Sequence, residues 1–293
     1  MKSVCVHSHA KINFYLDVVR KRRDGYHDIE TIFQTVSLTD TVLAEPRASD
    51  LSMECTNPAL ECGPSNLVLK AAALLREHTG FTGGAHLVLT KRIPVAAGLA
   101  GGSGNAAAAL VALNLMWELG LSNARLERLA IALGSDVPYC LVGGTVAATG
   151  RGERMAALNP IPETWLVLMH PPLAVSTRAV YTSPLLHISK ERPFAGRTPS
   201  FRKAIQALES GDVAGATRNT MERVAFSMHP ELEALVQRLR DASCAVAAMS
   251  GSGPTLFGVC TGRAHAEEVA ALLGEHACSV VHTVPCALRV EHG

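Results

Sequence analysis

The amino-acid sequence predicts an α+β fold made of two domains. Predicted strands and helices mix along the chain without the regular alternation that a barrel or an all-parallel sheet requires. The chain has 293 residues, which is the length of about two domains. Pro160 and Pro162 interrupt the chain near its middle, so the predicted domains are residues 1–160 and residues 161–293.

Strands dominate the start of the first predicted domain. Alternating apolar residues indicate strands, and Asp24-Gly25 indicates a turn between the first two. These strands are Ser3–Ala10 with an extended continuation to Val19, Ile29–Val36, Asp40–Ala44, Ala85–Ile93 and Thr145–Ala148. Apolar residues at helical spacing, followed by glycine, indicate helices. These helices are Asn66–Gly80, a long helix that ends at Gly120, and Ser122–Leu133 with Ser122 as its cap.

The second predicted domain alternates between helices and strands. It opens with a strand, Trp165–His170, and continues as a polar segment without regular structure over residues 183–198. Helical spacing of apolar residues predicts four helices, which are Phe201–Glu209, Gly215–Val224, Pro230–Ala242 and Ala264–His276. The remaining strands are Cys244–Met249, Pro254–Cys260 and Ser279–Val284.

A glycine-rich loop precedes the long helix of the first domain. The segment Pro94–Gly104 reads Pro-Val-Ala-Ala-Gly-Leu-Ala-Gly-Gly-Ser-Gly, and the helix after it is rich in Ala and Leu. Glycines let a backbone turn tightly and approach a ligand, while a helix N-terminus presents unpaired N–H groups and the positive end of a dipole. The loop is therefore predicted to bind an anion such as a nucleotide phosphate. Ser103 can either cap the helix or face a phosphate or a metal ion.

Two other kinds of phosphate loop match poorly. A P-loop needs Lys-Ser or Lys-Thr after its glycines, whereas Asn105 follows Gly104. The dinucleotide fingerprint is matched loosely by Gly102, Gly104 and Ala107, but it requires a strand after the helix, and residues 126–133 are predicted to be helical. A flexible linker would be polar and would not lead into an apolar helix.

Composition excludes several other classes. The formal net charge is +1, which gives no indication of nucleic acid or an acidic membrane as a partner. The eight cysteines form no Cys-x-x-Cys pair, so zinc-finger and thioredoxin-like motifs lack support. The sequence shows no signal peptide and no apolar run of about 18 residues, so we expect a cytoplasmic protein without a membrane partner.

Three features carry groups that could take part in a reaction. Lys11 lies in an apolar strand, where it is either an edge residue that reaches solvent or a buried charge that stabilises an anion. Asp136 lies in a turn, where a carboxylate usually accepts hydrogen bonds from the backbone, but it could also accept a proton during phosphoryl transfer. The segment Ser250–Gly253 is either an ordinary hairpin turn or a backbone platform beside a ligand.

Four motifs together resemble the GHMP kinases. They are Ala10-Lys11-Ile12-Asn13 with Asp24-Gly25-Tyr26-His27, the loop from Pro94 to Ser103, Gly134-Ser135-Asp136-Val137-Pro138, and Ser250-Gly251-Ser252-Gly253-Pro254. The loop is typical of the whole superfamily, whereas Gly-Tyr-His after Ala-Lys-Ile-Asn is typical of members that phosphorylate a cytidine diphosphate derivative in isoprenoid precursor biosynthesis. The resemblance implies a first domain like ribosomal protein S5 domain 2, a ferredoxin-like second domain, and a substrate cleft between them.

The resemblance also implies a role for each matching residue. Asp136 would be the catalytic base that takes a proton from the substrate hydroxyl, and Lys11 would stabilise the developing charge beside it. The phosphates of ATP would bind at Pro94, Val95, Ala96, Ala97, Gly98, Leu99, Ala100, Gly101, Gly102, Ser103 and Gly104, and Mg²⁺ would contact Ser103. The cytidyl diphosphate substrate would contact Asn13, Tyr26, His27, Thr177 and Tyr181, with the aromatic rings against cytosine.

Two loop positions depart from the pattern of the superfamily, because Ala100 replaces a common glycine and Gly104 a common serine. A methyl group at position 100 is expected to be tolerated if that residue has a negative φ. The missing hydroxyl at position 104 gives Ser103 and the backbone more of the phosphate and Mg²⁺ contacts. A monomer or a weak homodimer is expected.

Three alternatives stay open. The first is another GHMP kinase, similar to homoserine or mevalonate kinase, although Gly-Tyr-His argues against it. The second is a metal-dependent hydrolase, because His7-x-His9 has the spacing of some two-metal sites, although later histidine ligands at strand ends are lacking. The third is a nucleotide-binding module without catalytic activity.

Overall fold

The computed structural model describes residues 2–191, 196–274 and 276–291. Within these residues the chain forms twelve strands and ten helices. The strands are β1 (Val4–Lys21), β2 (His27–Arg47), β3 (Leu51–Cys55), β4 (Gly84–Thr90), β5 (Thr145–Gly150), β6 (Arg154–Ala157), β7 (Trp165–His170), β8 (Arg218–Asn219), β9 (Val246–Met249), β10 (Leu256–Cys260), β11 (Ala277–His282) and β12 (Leu288–Glu291). The helices are α1 (Leu67–Thr79), α2 (Gly101–Met116), α3 (Asn123–Leu133), α4 (Tyr139–Val142), α5 (Thr177–Thr182), α6 (Pro199–Glu209), α7 (Val213–Ala216), α8 (Glu222–Met228), α9 (Pro230–Asp241) and α10 (Arg263–Leu272).

Two sheets organise the described part of the chain. The first has eight strands along the path β12–β1–β2–β4–β3, with β5 paired to β2 and β6, and β8 paired to β1. The second has four antiparallel strands in the order β11–β7–β10–β9. Because β1 and β2 pair along nearly their whole length, they form the frame on which the site residues of the first half are placed.

The helix after the glycine-rich loop lies in the core of the first half. Eleven of the sixteen residues of α2 are buried, as expected for a helix that is apolar on all sides. It packs against α1, β1 and β2. The loop before α2 is therefore anchored at one end by a buried element.

A second apolar cluster joins the two sheets. Ile12 and Phe14 of β1 pack in one cluster with Leu168 of β7 and Phe257 of β10. The rings of Phe14 and Phe257 meet edge to face, with their centroids 6.0 Å apart. Burial of these side chains fixes the second sheet against β1, which matters because the candidate site draws residues from both sheets.

Most predicted elements are confirmed, and the first helix agrees in both of its caps. The side chain of Asn66 accepts a hydrogen bond from the Val68 amide at 3.0 Å, and Gly80 ends the helix with φ of 70°. Ser122 stands at the N-cap of α3, but its side chain makes no capping bond there. The helix α5 and the strands β6 and β12 were not predicted.

Two predicted boundaries in the first half are wrong. Ile29–Val36 and Asp40–Ala44 are parts of one strand, β2, because a bulge opposite His9 and Ala10 absorbs the residues between them. The strand predicted over Ala85–Ile93 ends at Thr90, since the amides of Arg92 and Ile93 donate to the carboxylate of Asp40 instead of to a strand.

The long helix of the first half also has different ends from those predicted. It begins at Gly101, within the glycine-rich loop, and it ends at Met116 rather than at Gly120. Glu118 already adopts a positive φ of 53°, so the chain has left the helix before it reaches the glycine. Ser103 lies inside the first turn, and its proposed role as the helix cap is therefore wrong.

The helix predicted over Gly215–Val224 is replaced by α7, β8 and α8. Asn219 explains the interruption, because its side-chain amide donates to the carbonyls of Met249 and Gly251, each at 2.8 Å. Residues 192–195 of the polar segment predicted over 183–198 lie outside the described residues. The helix predicted over Ala264–His276 ends at Leu272.

The division of the chain near residue 160 stays a prediction. β7 opens the second sheet shortly after it, but β8 and β12 both return to pair with β1 in the first sheet. The two predicted halves therefore share a sheet as well as an apolar cluster.

Candidate active site

A large cleft brings the predicted site residues together. Its volume is about 1050 Å³. The predicted residues that line it are Lys11, Asn13, Tyr26, His27, Pro94, Val95, Ala96, Ala97, Gly98, Ala100, Gly101, Gly102, Ser103, Asp136, Thr177 and Tyr181. Leu99 and Gly104 are not among the lining residues, because Leu99 is buried in the core and Gly104 packs against Ser8.

The glycine-rich loop packs directly against a second glycine-containing turn, Ser250–Gly253. Gly98 has φ of 76°, and a Cβ atom at this position would lie 2.3 Å from the carbonyl oxygen of Ser250. The Ser250 hydroxyl donates to the Gly98 carbonyl at 3.0 Å. The segment Ser250–Gly253 is therefore a backbone support for the loop, and only glycine fits at position 98.

Ala100 adopts a left-handed backbone conformation, which is unusual for alanine. Its φ is 55° and its ψ is 25°, which is the left-handed region, and it is the N-cap residue of α2. The negative φ that was the condition for tolerating a methyl group here is therefore not met. No described side chain caps α2, so the first N–H groups of this helix are available to an anion in the cleft.

The two ends of the loop are joined by a buried carboxylate. Asp40 on β2 is fully buried, and one of its oxygens accepts from the amides of Arg92 and Ile93 at 2.7 and 2.8 Å. The other oxygen binds Lys91 Nζ at 2.7 Å and Asn105 Nδ2 at 2.8 Å. Asp40 thus ties the residues before the loop to the helix after it.

Lys11 is a buried charge rather than an edge residue. Its exposed fraction is 4%, and its Nζ donates to Asn13 Oδ1 at 2.7 Å and to the Gly98 carbonyl at 3.0 Å. Burial lowers the pKa of Lys11, while the negative charge of Asp136 opposes that change. Asn13 is held in turn by Thr31, to whose hydroxyl it donates at 2.8 Å.

Asp136 lies half-buried in the turn between α3 and α4. No described residue makes a hydrogen bond to its carboxylate, which argues against the interpretation that this side chain only satisfies nearby backbone groups. Burial is the main cause that raises the pKa of Tyr181, and the negative charge of Asp136 raises it further. The same charge opposes the lowering of the Lys11 pKa. A carboxylate that faces the cleft close to a lysine is suited to accept a proton from a bound hydroxyl.

Aromatic residues from both halves meet at the other side of the cleft. The rings of His27 and Tyr181 are stacked, with centroids 5.1 Å apart and an angle of 22° between their planes. Burial lowers the pKa of His27, and the charge of Lys21 acts in the same direction. The imidazole of His27 is therefore neutral near pH 7 and offers one donor and one acceptor.

Tyr26 and Thr177 have different surroundings. The ring of Tyr26 is 54% exposed, and the guanidinium of Arg151 lies 3.9 Å from its centroid. The Arg151 side chain also donates to the hydroxyl of Ser135, next to Asp136, at 3.0 Å. The hydroxyl of Thr177, at the start of α5, lies 2.7 Å from that of Ser252 in the second glycine turn.

Sequence reasoning did not identify Asp40 and Arg151 as site residues. An acid within an apolar strand was a usable signal for Asp40, because a buried charge requires partners. Arg151 stands between two glycines at the end of β5, and its residue type alone gave no indication of a contact with Tyr26. Both contacts join segments that are distant in the sequence.

The charge of the cleft favours an anionic ligand. Among the described lining residues Asp136 is the single acid, against five cationic side chains, which are Lys11, Lys21, Lys91, Arg151 and Arg178. Such a surface attracts polyphosphates electrostatically. The Ser103 hydroxyl and the Asp136 carboxylate are oxygen donors of the kind Mg²⁺ prefers, whereas both oxygens of Asp40 are engaged within the protein.

The cleft, with its glycine-rich loop, buried lysine and free carboxylate, defines a small-molecule phosphotransferase. Residues 66–144 match the family model of the GHMP kinases N terminal domain, and residues 194–277 match that of the GHMP kinases C terminal domain. A 4-diphosphocytidyl-2-C-methyl-D-erythritol kinase of Pelotomaculum thermopropionicum is 44% identical over 89% of this chain and 91% of its own length. A protein of the same name from Gloeobacter violaceus is 39% identical over 93% and 91%.

Solved structures agree with these relatives. A crystal structure of 4-(cytidine 5'-diphospho)-2C-methyl-D-erythritol kinase matches with a TM-score of 0.80 and 35% identity, over 94% of this chain and 98% of that one. A homoserine kinase from Cytophaga hutchinsonii matches with a TM-score of 0.74 at 18% identity, over 99% and 98%, which shows the fold alone. The chain belongs to the GHMP kinases and, within them, to the family of the 4-diphosphocytidyl-2-C-methyl-D-erythritol kinases. The predicted α+β fold and the resemblance are thereby confirmed.

Proposed function

We propose that this protein transfers the γ-phosphate of ATP to the 2-hydroxyl of 4-diphosphocytidyl-2-C-methyl-D-erythritol, as a step of the non-mevalonate route to isoprenoid precursors. The observation that carries the proposal is the position of Lys11 and Asp136 in the same cleft as the glycine-rich loop and the aromatic residues. The hydroxyl oxygen attacks the γ-phosphorus, the bond to the β-phosphate oxygen breaks, and the proton passes to Asp136.

The residues from Pro94 to Gly104 are proposed to hold the phosphates of ATP. The unpaired N–H groups at the start of α2 and the positive end of its dipole support this role. Leu99 and Gly104 act through the shape of the loop rather than by lining the cleft. Mg²⁺ would be held by the Ser103 hydroxyl, and when bound it would neutralise part of the phosphate charge.

Lys11 is proposed to stabilise the charge that develops during transfer. Its hydrogen bonds to Asn13 and Gly98 fix its ammonium group, so little reorganisation is needed when the negative charge moves. Asn13 contributes by positioning Lys11.

The cytidine end of the substrate is proposed to bind at Tyr26, His27 and Tyr181, with Thr177 beside it. Arg151 covers one face of the Tyr26 ring, so the cytosine would use the other face. The stacked pair of His27 and Tyr181 supplies a second aromatic surface, and the neutral imidazole can hydrogen-bond the edge of the base. The small-molecule substrate leaves no role for nucleic acid, and we propose a monomer or a weak homodimer.

The proposal is tested by steady-state kinetics with ATP and a panel of acceptors that includes the cytidyl substrate, homoserine and mevalonate. Phosphorylation of the cytidyl substrate alone is expected, and no rate with it would overturn the proposal. Asp136→Asn should lower kcat by roughly 10²–10⁴-fold, the usual contribution of general base catalysis. Asp50→Asn, at an exposed position outside the cleft, is the matched control and should leave kcat unchanged.

A further inference from the structure

A second group of potential ligands lies outside the cleft, on β1 and β12. Cys5 Sγ, a ring nitrogen of His7 and a carboxylate oxygen of Glu291 all lie within 4.8 Å of one another. None of these three residues lines the cleft. The group combines a thiol, an imidazole and a carboxylate, which is a donor set typical of zinc and unlike the all-oxygen sets of Mg²⁺ and Ca²⁺.

The pairing of the two strands creates this group. Cys5 lies directly opposite Glu291 in the antiparallel register of β1 and β12. His7 is two residues from Cys5, so its side chain projects from the same face of the sheet. The three donors are therefore placed by main-chain hydrogen bonds and not by a flexible loop.

The neighbouring strand β2 orients the imidazole. Thr41 Oγ1 lies 3.0 Å from His7 Nδ1, which directs the other ring nitrogen, Nε2, towards Glu291 at 3.3 Å. A hydrogen bond to the second nitrogen is the usual support of a histidine that binds a metal. The 3.3 Å separation also fits, because two ligands about 2.0–2.2 Å from a tetrahedral zinc ion lie roughly 3.4 Å apart.

We propose that Cys5, His7 and Glu291 bind a zinc-type divalent ion, with water in the fourth position. Cys5 binds as the thiolate. Glu291 is 60% exposed and His7 18% exposed, so the ion can enter from solvent. The ion would join β12 to β1 and so stabilise the edge of the first sheet.

This site differs from the two-metal hydrolase that His7-x-His9 suggested. His9 is not part of the group, and the three ligands lie away from the reactive residues of the cleft. The role is therefore structural. The proposal does not depend on which substrate the kinase uses.

The test measures zinc in the full-length protein after treatment with a chelator, dialysis against zinc sulfate and desalting. About one equivalent is expected to remain, and Cys5→Ser and His7→Gln should each remove most of it. Zinc should raise the melting temperature by roughly 5 °C at about 100 times its Kd, whereas Mg²⁺ should not. Cobalt should give a thiolate charge-transfer band that Cys5→Ser abolishes.

Cys286→Ser is the matched control, because Cys286 is an exposed thiol outside the group, and it should retain the zinc. Zinc binding that Cys5→Ser and His7→Gln leave unchanged would overturn the proposal, as would the loss of all zinc on desalting. Kinase activity should remain within about twofold in both ligand variants. Loss of activity together with loss of zinc would overturn the structural role, whereas the activity of the parent protein with the cytidyl substrate tests the proposed kinase function separately.

Discussion

The glycine-rich loop, proposed to bind ATP, and the aromatic cluster of Tyr26, His27 and Tyr181, proposed to bind the cytidyl substrate, present different groups to the cleft. The loop presents backbone. Asp40 holds the residues at both of its ends, and Ser250 holds its middle at Gly98. The aromatic cluster presents side chains, and its most exposed member, Tyr26, is covered on one face by Arg151.

This difference indicates how the cleft divides its tasks. Phosphate is common to all ATP-dependent kinases, and a rigid array of backbone N–H groups can recognise it without contacts from particular side chains. A base is recognised by stacking and by a few hydrogen bonds, so we expect side chains to select the acceptor. Substitutions in the loop should therefore affect stability and ATP together, whereas substitutions at the aromatic cluster should affect the cytidyl substrate alone.

Of the three substitutions that test this comparison, Gly98→Ala should have the largest effect. The added methyl group would lie 2.3 Å from the Ser250 carbonyl oxygen at a φ of 76°, so the loop must move. We expect kcat/KM for ATP to fall roughly 100-fold, which corresponds to about 2.7 kcal/mol. Steady-state kinetics with ATP as the varied substrate measure this change.

Gly80→Ala is the control for Gly98→Ala. Gly80 has a similar φ of 70°, but a Cβ atom there meets nothing within 4 Å. It should lower stability by about 1 kcal/mol through backbone strain and leave kcat/KM unchanged. Equal kinetics for the two variants would mean that the contact between the glycine turns does not shape the loop.

Arg151→Met should have an intermediate effect that is confined to the acceptor. The guanidinium lies over the Tyr26 ring and donates to Ser135, and a cation–π contact of this kind contributes about 0.5–2 kcal/mol. KM for the cytidyl substrate should rise roughly tenfold, with KM for ATP unchanged. The control is Arg154→Met, at a neighbouring exposed arginine on β6, which should change neither KM value. An equal rise in both KM values for Arg151→Met would contradict the assignment of Arg151 to the acceptor side.

Ala100→Gly should have the smallest effect, and it should be stabilising. Relief of the left-handed conformation of Ala100 contributes about 1 kcal/mol, which the greater freedom of glycine in the unfolded chain partly offsets. The net gain in the free energy of unfolding should be below about 1 kcal/mol in a denaturant titration. Ala100→Val should instead destabilise the protein, since a β-branched residue tolerates this φ poorly; a stabilising valine would show that the strain is absent.

Local signals in the sequence predicted much of the fold. They failed where contacts between distant segments determine the local structure. Asn66 and Gly80 mark the ends of α1 because capping depends on a few neighbouring residues. The predicted helix over Gly215–Val224 was wrong because Asn219 binds the carbonyls of residues 249 and 251, which no local pattern reveals. The end of the long helix was also misplaced, because Glu118 takes a positive φ of 53° and the chain leaves the helix before it reaches Gly120.

The sequence by itself determined the glycine-rich loop, the apolar helix behind it and the family to which the chain belongs, because these follow from residue types at short spacing. The tertiary structure decided how the loop is held and what surrounds the proposed acceptor site. Asp40, which ties the ends of the loop, and Arg151, which covers Tyr26, act through contacts between residues far apart in the chain. Ala100 likewise adopts a positive φ of 55°, against the preference of an alanine, and no feature of the sequence indicated it.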